Sequence, residues 1–286
     1  MIFFSQIVHD FTTRGTSPVQ LLLDALTIFA LLGIAFVVLQ ALRMAGRLLW
    51  FDFVHFVTWR KHRKSYSALR PNGKRILILG DSTAFGRGAA QPEDSIAGRL
   101  GRDFPHTEII NLGVNGATTS EVVQQLAKVQ GQHFNLVLLF TGGNDIWHFT
   151  SLPVLTRALT RLISETAAIS DHKVVVLFYA NFGLSPLFPP FIRSVLVRRM
   201  LKVRDLFIQV CNLHNVAYIE LFPETDLNNP FSEDPKRYFS YDYTHPSSEG
   251  YRLWYNRMWR EMQARGYQFE DENRNPANAA VNTGRE

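Results

Sequence analysis

The stretch RILILGDS, residues 75–82, decides the fold. After its first arginine it is a continuous run of Ile and Leu, and it ends in a glycine followed by two polar residues. A short apolar run of this kind is typical of a strand buried on both faces of a parallel sheet. Because ligands bind at the carboxyl ends of the strands in such sheets, a functional group is expected directly after this strand.

Four more apolar runs follow, and stretches with helical spacing separate them. The predicted strands are 75–79, 108–111, 136–140, 173–179 and 216–221. The predicted helices are 96–104, 119–129, 152–168, 191–214 and 247–263. This alternation predicts a three-layer α/β/α sandwich with a five-stranded parallel sheet.

An apolar segment near the N-terminus, residues 21–42, predicts a transmembrane helix. No Lys or Arg lies between Arg14 and Arg43, and the segment is long enough to cross a bilayer core of about 30 Å. A buried helix of the soluble domain is the alternative. A cleaved signal peptide fits less well, because the apolar run follows residues 1–20, which carry a single Arg and no Lys.

The segments on either side of the predicted α/β/α domain also have a distinct composition. Residues 43–73 combine an aromatic run with the basic cluster 60–64, which predicts an interfacial segment and linker; an amphipathic helix packed on the domain is the alternative. The excess of cations after the apolar segment favours a cytoplasmic domain in a single-pass membrane protein. The polar tail 268–286 is expected to be disordered.

Composition excludes several classes of function. The chain of 286 residues has a net charge of +5 and an isoelectric point of about 9.4, with its cations densest over residues 43–74. No RNA-binding or zinc-finger motif is present, so a membrane surface is favoured over nucleic acid. The single cysteine, Cys211, is predicted to be a core thiol. Without CxxC or HExxH spacing, no metal or other cofactor is expected.

Four polar motifs lie after predicted strands or in the last loop: GDST (80–83), NLGVNG (111–116), GGND (142–145) and DYTH (242–245). An Asn side chain can donate to a developing oxyanion. An Asp and a His three residues apart can set a carboxylate against one imidazole nitrogen while the other faces a serine. Each motif alone reads as a turn, but all four in this order fill one domain, residues 74–267.

This set resembles the SGNH (GDSL-like) hydrolase superfamily, a family of serine ester hydrolases with a flavodoxin-like sheet and no cofactor. The resemblance implies a triad of Ser82, Asp242 and His245 and oxyanion donors on Ser82, Gly113 and Asn144. Gly116 lies close by and is the other candidate for the glycine of the second motif; the Asn that precedes Gly113 favours Gly113. The α/β-hydrolase family fits less well, because Ser82 lies in no G-x-S-x-G motif.

The substrate is expected to be a small-molecule or lipid ester. The apolar loop 181–192 and the residues after GGND predict a substrate-binding wall of Trp147, Phe182, Leu184 and Phe188, with ordinary loop packing as the alternative. Deacetylation of a cell-envelope glycan and acyl transfer to an alcohol use the same first half-reaction and stay open. A catalytically silent membrane scaffold is the alternative outside enzymes. The sequence predicts no oligomeric state.

Overall fold

The computed structural model describes residues 17–59, 64–70, 73–171, 173–222 and 229–267. The chain divides into two compact units, Met1–Val54 and His55–Glu286. The predictions for residues 1–16, for most of the basic cluster and for the tail 268–286 lie outside the described residues.

Helix α1, Pro18–Trp59, forms the N-terminal part of the described chain. Its stretch Pro18–Gln40 has 23 residues with a mean hydropathy of 2.6, and none of that stretch is buried. By length and composition alone, this stretch is able to cross a membrane. The helix continues to Trp59 through the aromatic run predicted as a separate interfacial segment.

The second unit contains the predicted parallel sheet. Its strands are β1 Arg75–Gly80, β2 Glu108–Asn111, β3 Leu136–Phe140, β4 Val174–Phe178 and β5 Ala217–Glu220. They run in the order β2-β1-β3-β4-β5, and every neighbouring pair is parallel. The predicted fold class is therefore confirmed.

The helices flank this sheet. Their bounds are α2 Ser82–Phe85, α3 Ile96–Asp103, α4 Thr119–Gln125, α5 Gly143–Trp147, α6 Leu152–Ala168, α7 Pro190–Leu213, α8 Pro230–Glu233, α9 Pro235–Tyr238 and α10 Ser248–Ala264. The predicted helix 119–129 ends as an α-helix at Gln125 and continues as the 3-10 turn Leu126–Val129. The sequence analysis did not predict the short helices α2 and α5, because four or five residues form little more than one turn and show no helical period.

The alternation of side chains along each strand builds the two core layers. In β1, Leu77 and Leu79 pack with α4, α6 and α7, whereas Ile76 and Ile78 pack with α3 and α10. All four side chains are fully buried or nearly so. Each contributes about 1.5–3 kcal/mol of transfer free energy, which is why this continuous apolar run fixes the centre of the sheet.

The stretch before β1, predicted as the end of a linker, lies along the edge of the sheet. Ala68 and Ile109 form an antiparallel bridge, with N–H to O distances of 2.9 and 2.8 Å between their main chains. The hydroxyl of Ser65 donates to the carbonyl of Asn111 at 3.2 Å. These bonds occupy backbone groups that an edge strand would otherwise expose.

Candidate active site

The four polar motifs meet at the carboxyl end of the sheet. Strand β1 lies between β2 and β3, so the chain leaves β1 on one side and returns to it on the other. In parallel sheets this change of direction opens a crevice in which ligands bind. Hydrogen bonds between the first motif and the third and fourth motifs cross this crevice.

The nucleophile predicted from GDST lies on a turn that requires its glycine. Gly80 has a φ of 152°, and a Cβ there would collide with the carbonyl of Phe140. Asp81 caps α2, which begins at Ser82, so the serine leaves the sheet directly at the strand end. Its Oγ lies 2.7 Å from Nε2 of His245.

The predicted acid and base are held by the loop before α10. His245 Nδ1 lies 2.7 Å from Oδ2 of Asp242. The other carboxylate oxygen of Asp242 accepts from the hydroxyl of Ser240 at 2.7 Å and from the main-chain amides of Thr244 and His245 at 3.0 and 2.9 Å. Asp242 is therefore fixed on both oxygens, and His245 has one ring nitrogen on the carboxylate and one on the serine.

The electrostatic surroundings keep Asp242 ionised. Burial alone would raise the pKa of this carboxyl, but His245 and the hydrogen-bond donors outweigh burial and hold the pKa below its usual range. A buried guanidinium, that of Arg87, lies 3.6 Å from the same carboxylate. An ionised carboxylate at this position stabilises an imidazolium.

Asn144 and Asp145 of GGND connect the first two loops. The side-chain amide of Asn144 donates to the carbonyl of Ala117 at 3.0 Å and to Oδ2 of Asp81 at 3.2 Å. Fully buried Asp145 accepts from the main-chain amide and the hydroxyl of Thr119 at 2.8 and 2.7 Å. Asn144 thus lies between the nucleophile loop and the second loop, while Asp145 fixes the start of α4.

Asp81 is a second buried carboxyl group beside the serine. It accepts hydrogen bonds from the hydroxyl of Tyr179, from Asn144 and, at 2.9 Å, from the main-chain amide of Thr83. Burial raises the pKa of Asp81 to about 6, although Tyr179, Thr83 and His245 act in the opposite direction. Burial also raises the pKa of Tyr179 well above its usual value, so its hydroxyl stays a donor.

The amide of Gly113, predicted as an oxyanion donor, is committed to another bond. It donates to the side-chain oxygen of Asn111 at 3.0 Å, and the amide of that side chain donates to the carbonyl of Ala84 at 2.7 Å. A Cβ on Gly113 would approach the main-chain nitrogen of Phe85 to 2.5 Å. This glycine therefore allows the second loop to pack closely on α2.

Gly116 offers a free amide in this loop. Its φ is +81°, its Cα faces open space, and its N–H donates no hydrogen bond within the described part of the chain. The next residue, Ala117, accepts from Asn144. The role of Gly113 stays a prediction, but its amide would first have to leave Asn111, whereas the amide of Gly116 is available.

Three of the four predicted substrate-binding residues come together. The rings of Trp147 and Phe188 are 5.5 Å apart between centroids, and those of Phe182 and Phe188 are 5.9 Å apart. Leu184 packs instead with the core layer on the α3 and α10 side of the sheet. The aromatic wall therefore consists of Trp147, Phe182 and Phe188.

Comparison with known families assigns the domain to a family. Residues 78–253 match the model of the GDSL-like Lipase/Acylhydrolase family. The chain belongs to this family. Its members are serine ester hydrolases, and ester hydrolysis is the activity of this chain. No curated protein is similar enough in sequence to count as a match.

Solved structures of GDSL-like hydrolases share the fold. A lipase/acylhydrolase from Enterococcus faecalis is 21% identical, with a TM-score of 0.51 over 67% of this chain and 96% of that one. The esterase EstA from Pseudoalteromonas sp. is 19% identical, with a TM-score of 0.53 over 68% and 100%. The acetylxylan esterase Axe2 from Geobacillus stearothermophilus is 19% identical, with a TM-score of 0.50 over 66% and 94%.

Sequence reasoning missed two residues of the site in this GDSL-like hydrolase. Asp81 stands in the GDST motif beside Ser82, so its position was visible, but its burial was not. Tyr179 follows β4 and belongs to no motif, and it reaches Asp81 only through the folding of the sheet. Among the described residues, no group of three His, Cys, Asp or Glu side chains is arranged to hold a metal ion. The expectation of a cofactor-free enzyme remains a prediction.

Proposed function

We propose that this chain is a membrane-anchored serine hydrolase that cleaves carboxylic esters or thioesters of lipids or other acyl compounds. The observation that carries the proposal is the chain of hydrogen bonds from Ser82 through His245 to Asp242, with 2.7 Å at each step. This order of hydroxyl, imidazole and carboxylate is what nucleophilic acyl transfer needs.

In the proposed reaction, Nε2 of His245 takes the proton of Ser82 as Oγ attacks the acyl carbon. The tetrahedral intermediate collapses, the bond from the acyl carbon to the leaving oxygen or sulfur breaks, and His245 returns the proton to the leaving group. A water molecule then loses a proton to His245 and attacks the acyl-enzyme, which releases the acid and restores Ser82. Asp242 stabilises the imidazolium in both half-reactions.

The oxyanion would receive hydrogen bonds from the main-chain amide of Ser82, from Asn144 and from the second loop. Gly113 is the donor predicted in the second loop. Gly116 is the better candidate, because its amide is free whereas the amide of Gly113 is bonded to Asn111. Both amide hydrogens of Asn144 are already used, so its bond to Asp81 or to Ala117 must lengthen as the oxyanion forms. Donors aimed at the developing charge are the main source of rate enhancement in such sites.

A lipid or long-chain acyl ester fits two features of the chain. The aromatic wall of Trp147, Phe182 and Phe188 offers an apolar surface close to Asn144. The apolar stretch Pro18–Gln40 would anchor the enzyme in a membrane, and the positive-inside rule favours a cytoplasmic hydrolase unit. An acetyl ester of a glycan is the second candidate, because the structural neighbour Axe2 is an acetylxylan esterase.

Hydrolysis of p-nitrophenyl esters from acetyl to palmitoyl by the detergent-solubilised full chain tests this proposal. We expect turnover to rise with acyl length, and Ser82→Ala to lower kcat by a factor of about a thousand or more. Ser120→Ala, at an exposed serine on α4, is the matched control. Activity confined to acetyl esters would favour glycan deacetylation, and full activity in Ser82→Ala would refute the mechanism. Product analysis with an added alcohol separates hydrolysis from acyl transfer.

A further inference from the structure

A group of exposed apolar side chains is distributed over α5, α6 and α7, and α7 contacts both of the other helices. It consists of Trp147 and Phe149 on and after α5, Val154 on α6, and Phe191 and Val195 on α7; we call it the apolar rim. Phe191 is 65% exposed, Phe149 55% and Trp147 45%. Single exposed apolar residues are ordinary on a protein surface, but a cluster beside a ligand site marks an interaction surface.

The rim belongs to the edge of the catalytic crevice. Helix α5 carries Asn144 and ends at Trp147, whose ring packs on Phe188 just before α7. The loop before α7 is joined to the loop of the catalytic histidine, because the hydroxyl of Ser185 donates to the carbonyl of Tyr243 at 2.7 Å. The starts of α5 and α7 therefore border the site.

Exposed cations follow the rim on both long helices. On α7, Arg198 and Lys202 continue the exposed face that begins with Phe191 and Val195. On α6, exposed Arg157 stands three residues after Val154. One helical turn rises about 5.4 Å, so on α6 Arg157 lies about one turn after Val154. On α7, Arg198 lies about one turn and Lys202 about two turns after Val195, which itself lies one turn after Phe191. None of the three cations has an ion-pair partner within the described ranges.

We propose that the apolar rim docks the hydrolase unit onto a bilayer that contains anionic phospholipid. The aromatic and aliphatic side chains would enter the boundary between headgroups and acyl chains, and the cations behind them would lie at the depth of the phosphates. The crevice would then open onto the lipid surface. The use of this contact rests on the proposed lipid ester hydrolysis, but the contact itself does not.

A bilayer fits the rim better than a protein partner does. Cations behind an apolar edge match the layered chemistry of a membrane surface, in which phosphates surround an apolar interior. The same chain also carries the exposed apolar stretch Pro18–Gln40, so it already has a segment suited to lipid. Anionic lipid would neutralise Arg157, Arg198 and Lys202 together.

The single cysteine makes a direct test practical. Cys211 is buried, and burial raises its pKa to about 12, so a maleimide dye reacts at an engineered cysteine instead. The full chain is placed in nanodiscs of phosphatidylcholine with or without phosphatidylglycerol, and an NBD dye is attached at Phe191→Cys. Leu213→Cys is the control, since it is 81% exposed at the other end of the same helix. Val37→Cys reports separately on the apolar helix.

Lipids that carry a quencher in their acyl chains should quench the dye at position 191 at least threefold more than the dye at position 213. Arg198→Glu with Lys202→Glu should remove most of that difference, as should omission of phosphatidylglycerol. Equal, weak quenching at 191 and 213 would overturn the proposal, whatever position 37 reports. So would a blue shift at 191 that depends on protein concentration and not on lipid, because a second copy would then cover the rim.

Failure of docking and failure of catalysis are separable in the same samples. Hydrolysis of a water-soluble acetyl ester, measured with and without Ser82→Ala, reports on the mechanism and does not require the rim. We expect Arg198→Glu with Lys202→Glu to retain this activity while it loses lipid quenching. Lipid quenching without Ser82-dependent hydrolysis would support the docking surface and contradict the proposed enzyme.

Discussion

Two buried carboxyl groups flank Ser82, and their pKa values shift in opposite directions. Asp81 in the nucleophile loop is 1% exposed and Asp242 in the histidine loop is 4% exposed, so burial penalises the charge of both. The pKa of Asp81 is raised to about 6, whereas that of Asp242 falls below its usual range. Equal burial therefore does not produce equal ionisation.

The partners of the two groups account for the difference. Asp242 binds the imidazole of His245 directly and accepts two main-chain amides and a hydroxyl on its other oxygen. Asp81 accepts mainly from neutral groups, Tyr179 and Asn144, and is farther along the network from His245. A catalytic acid in a triad must be ionised, while a group that positions an amide does not need a full charge.

Replacing the carboxylate of the histidine loop should give the largest effect on activity. In Asp242→Asn, the side-chain oxygen can keep its main-chain donors, but an amide NH2 then faces Nδ1 of His245 and favours the wrong tautomer. We expect kcat for a soluble ester to fall on the order of 10⁴-fold. Asp205→Asn, an exposed aspartate on α7, is the control. A loss below tenfold would contradict the role of Asp242.

Removing the amide that contacts Asp81 should give the next largest effect. Asn144→Ala deletes a proposed oxyanion donor, so kcat should fall about 10²- to 10³-fold while KM changes little, because the interaction strengthens only in the transition state. The exposed Asn212→Ala on α7 serves as the control. A change confined to KM would mean that Asn144 binds the ground state and the transition state equally.

The sequence predicts the strands and the members of the site better than it predicts the contacts around the two carboxyl groups. The strands 108–111 and 136–140 were predicted with the observed bounds, because a buried parallel strand is a continuous apolar run between polar loops. The order of GDST, GGND and DYTH carries the family resemblance from which Ser82, Asn144 and His245 are predicted as members of one site. Periodicity and motif order can be read from the sequence, because neither depends on how the chain packs.

The contacts that distinguish the two carboxyl groups depend on long-range packing. Tyr179 lies 98 positions from Asp81 in the chain, and no spacing rule joins a strand-end tyrosine to a serine loop. The bond from Gly113 to Asn111 is local, but it forms only because the second loop is pressed on α2. The same holds for Leu184, which packs in the core layer opposite the other predicted substrate residues.

Neutralising Asp81 should affect the pH dependence of stability more than activity. Its raised pKa means that the folded chain keeps this proton between about pH 4 and 6 while the unfolded chain releases it, so Asp81 lowers stability as pH rises through that range. Asp81→Asn should therefore gain stability relative to the parent as the pH rises from 4 to 6, and the difference in stability should be constant above pH 6.

Asp242→Asn should show the opposite dependence. Its stability should lie below that of the parent, and this deficit should shrink as the pH falls below about 4. Urea unfolding at pH 3 to 8 checks both signs; the same sign for both variants would contradict the assignment.

Tyr179→Phe should produce the smallest change and isolate one hydrogen bond. The hydroxyl of Tyr179 lowers the pKa of Asp81 against the effect of burial, so its removal should raise that pKa further above 6. The pH at which the stability difference between Asp81→Asn and its parent levels off should then move upward in the Tyr179→Phe background, while kcat at pH 8 falls less than about threefold, as expected for one neutral hydrogen bond. Tyr218→Phe is the matched control, because its buried hydroxyl has no hydrogen-bond partner within the described residues and it belongs to β5, which two strands separate from β1. An unchanged levelling pH in Tyr179→Phe would mean that Tyr179 does not contribute to the pKa of Asp81, and the difference between the two carboxyl groups would then rest on burial, Thr83 and His245.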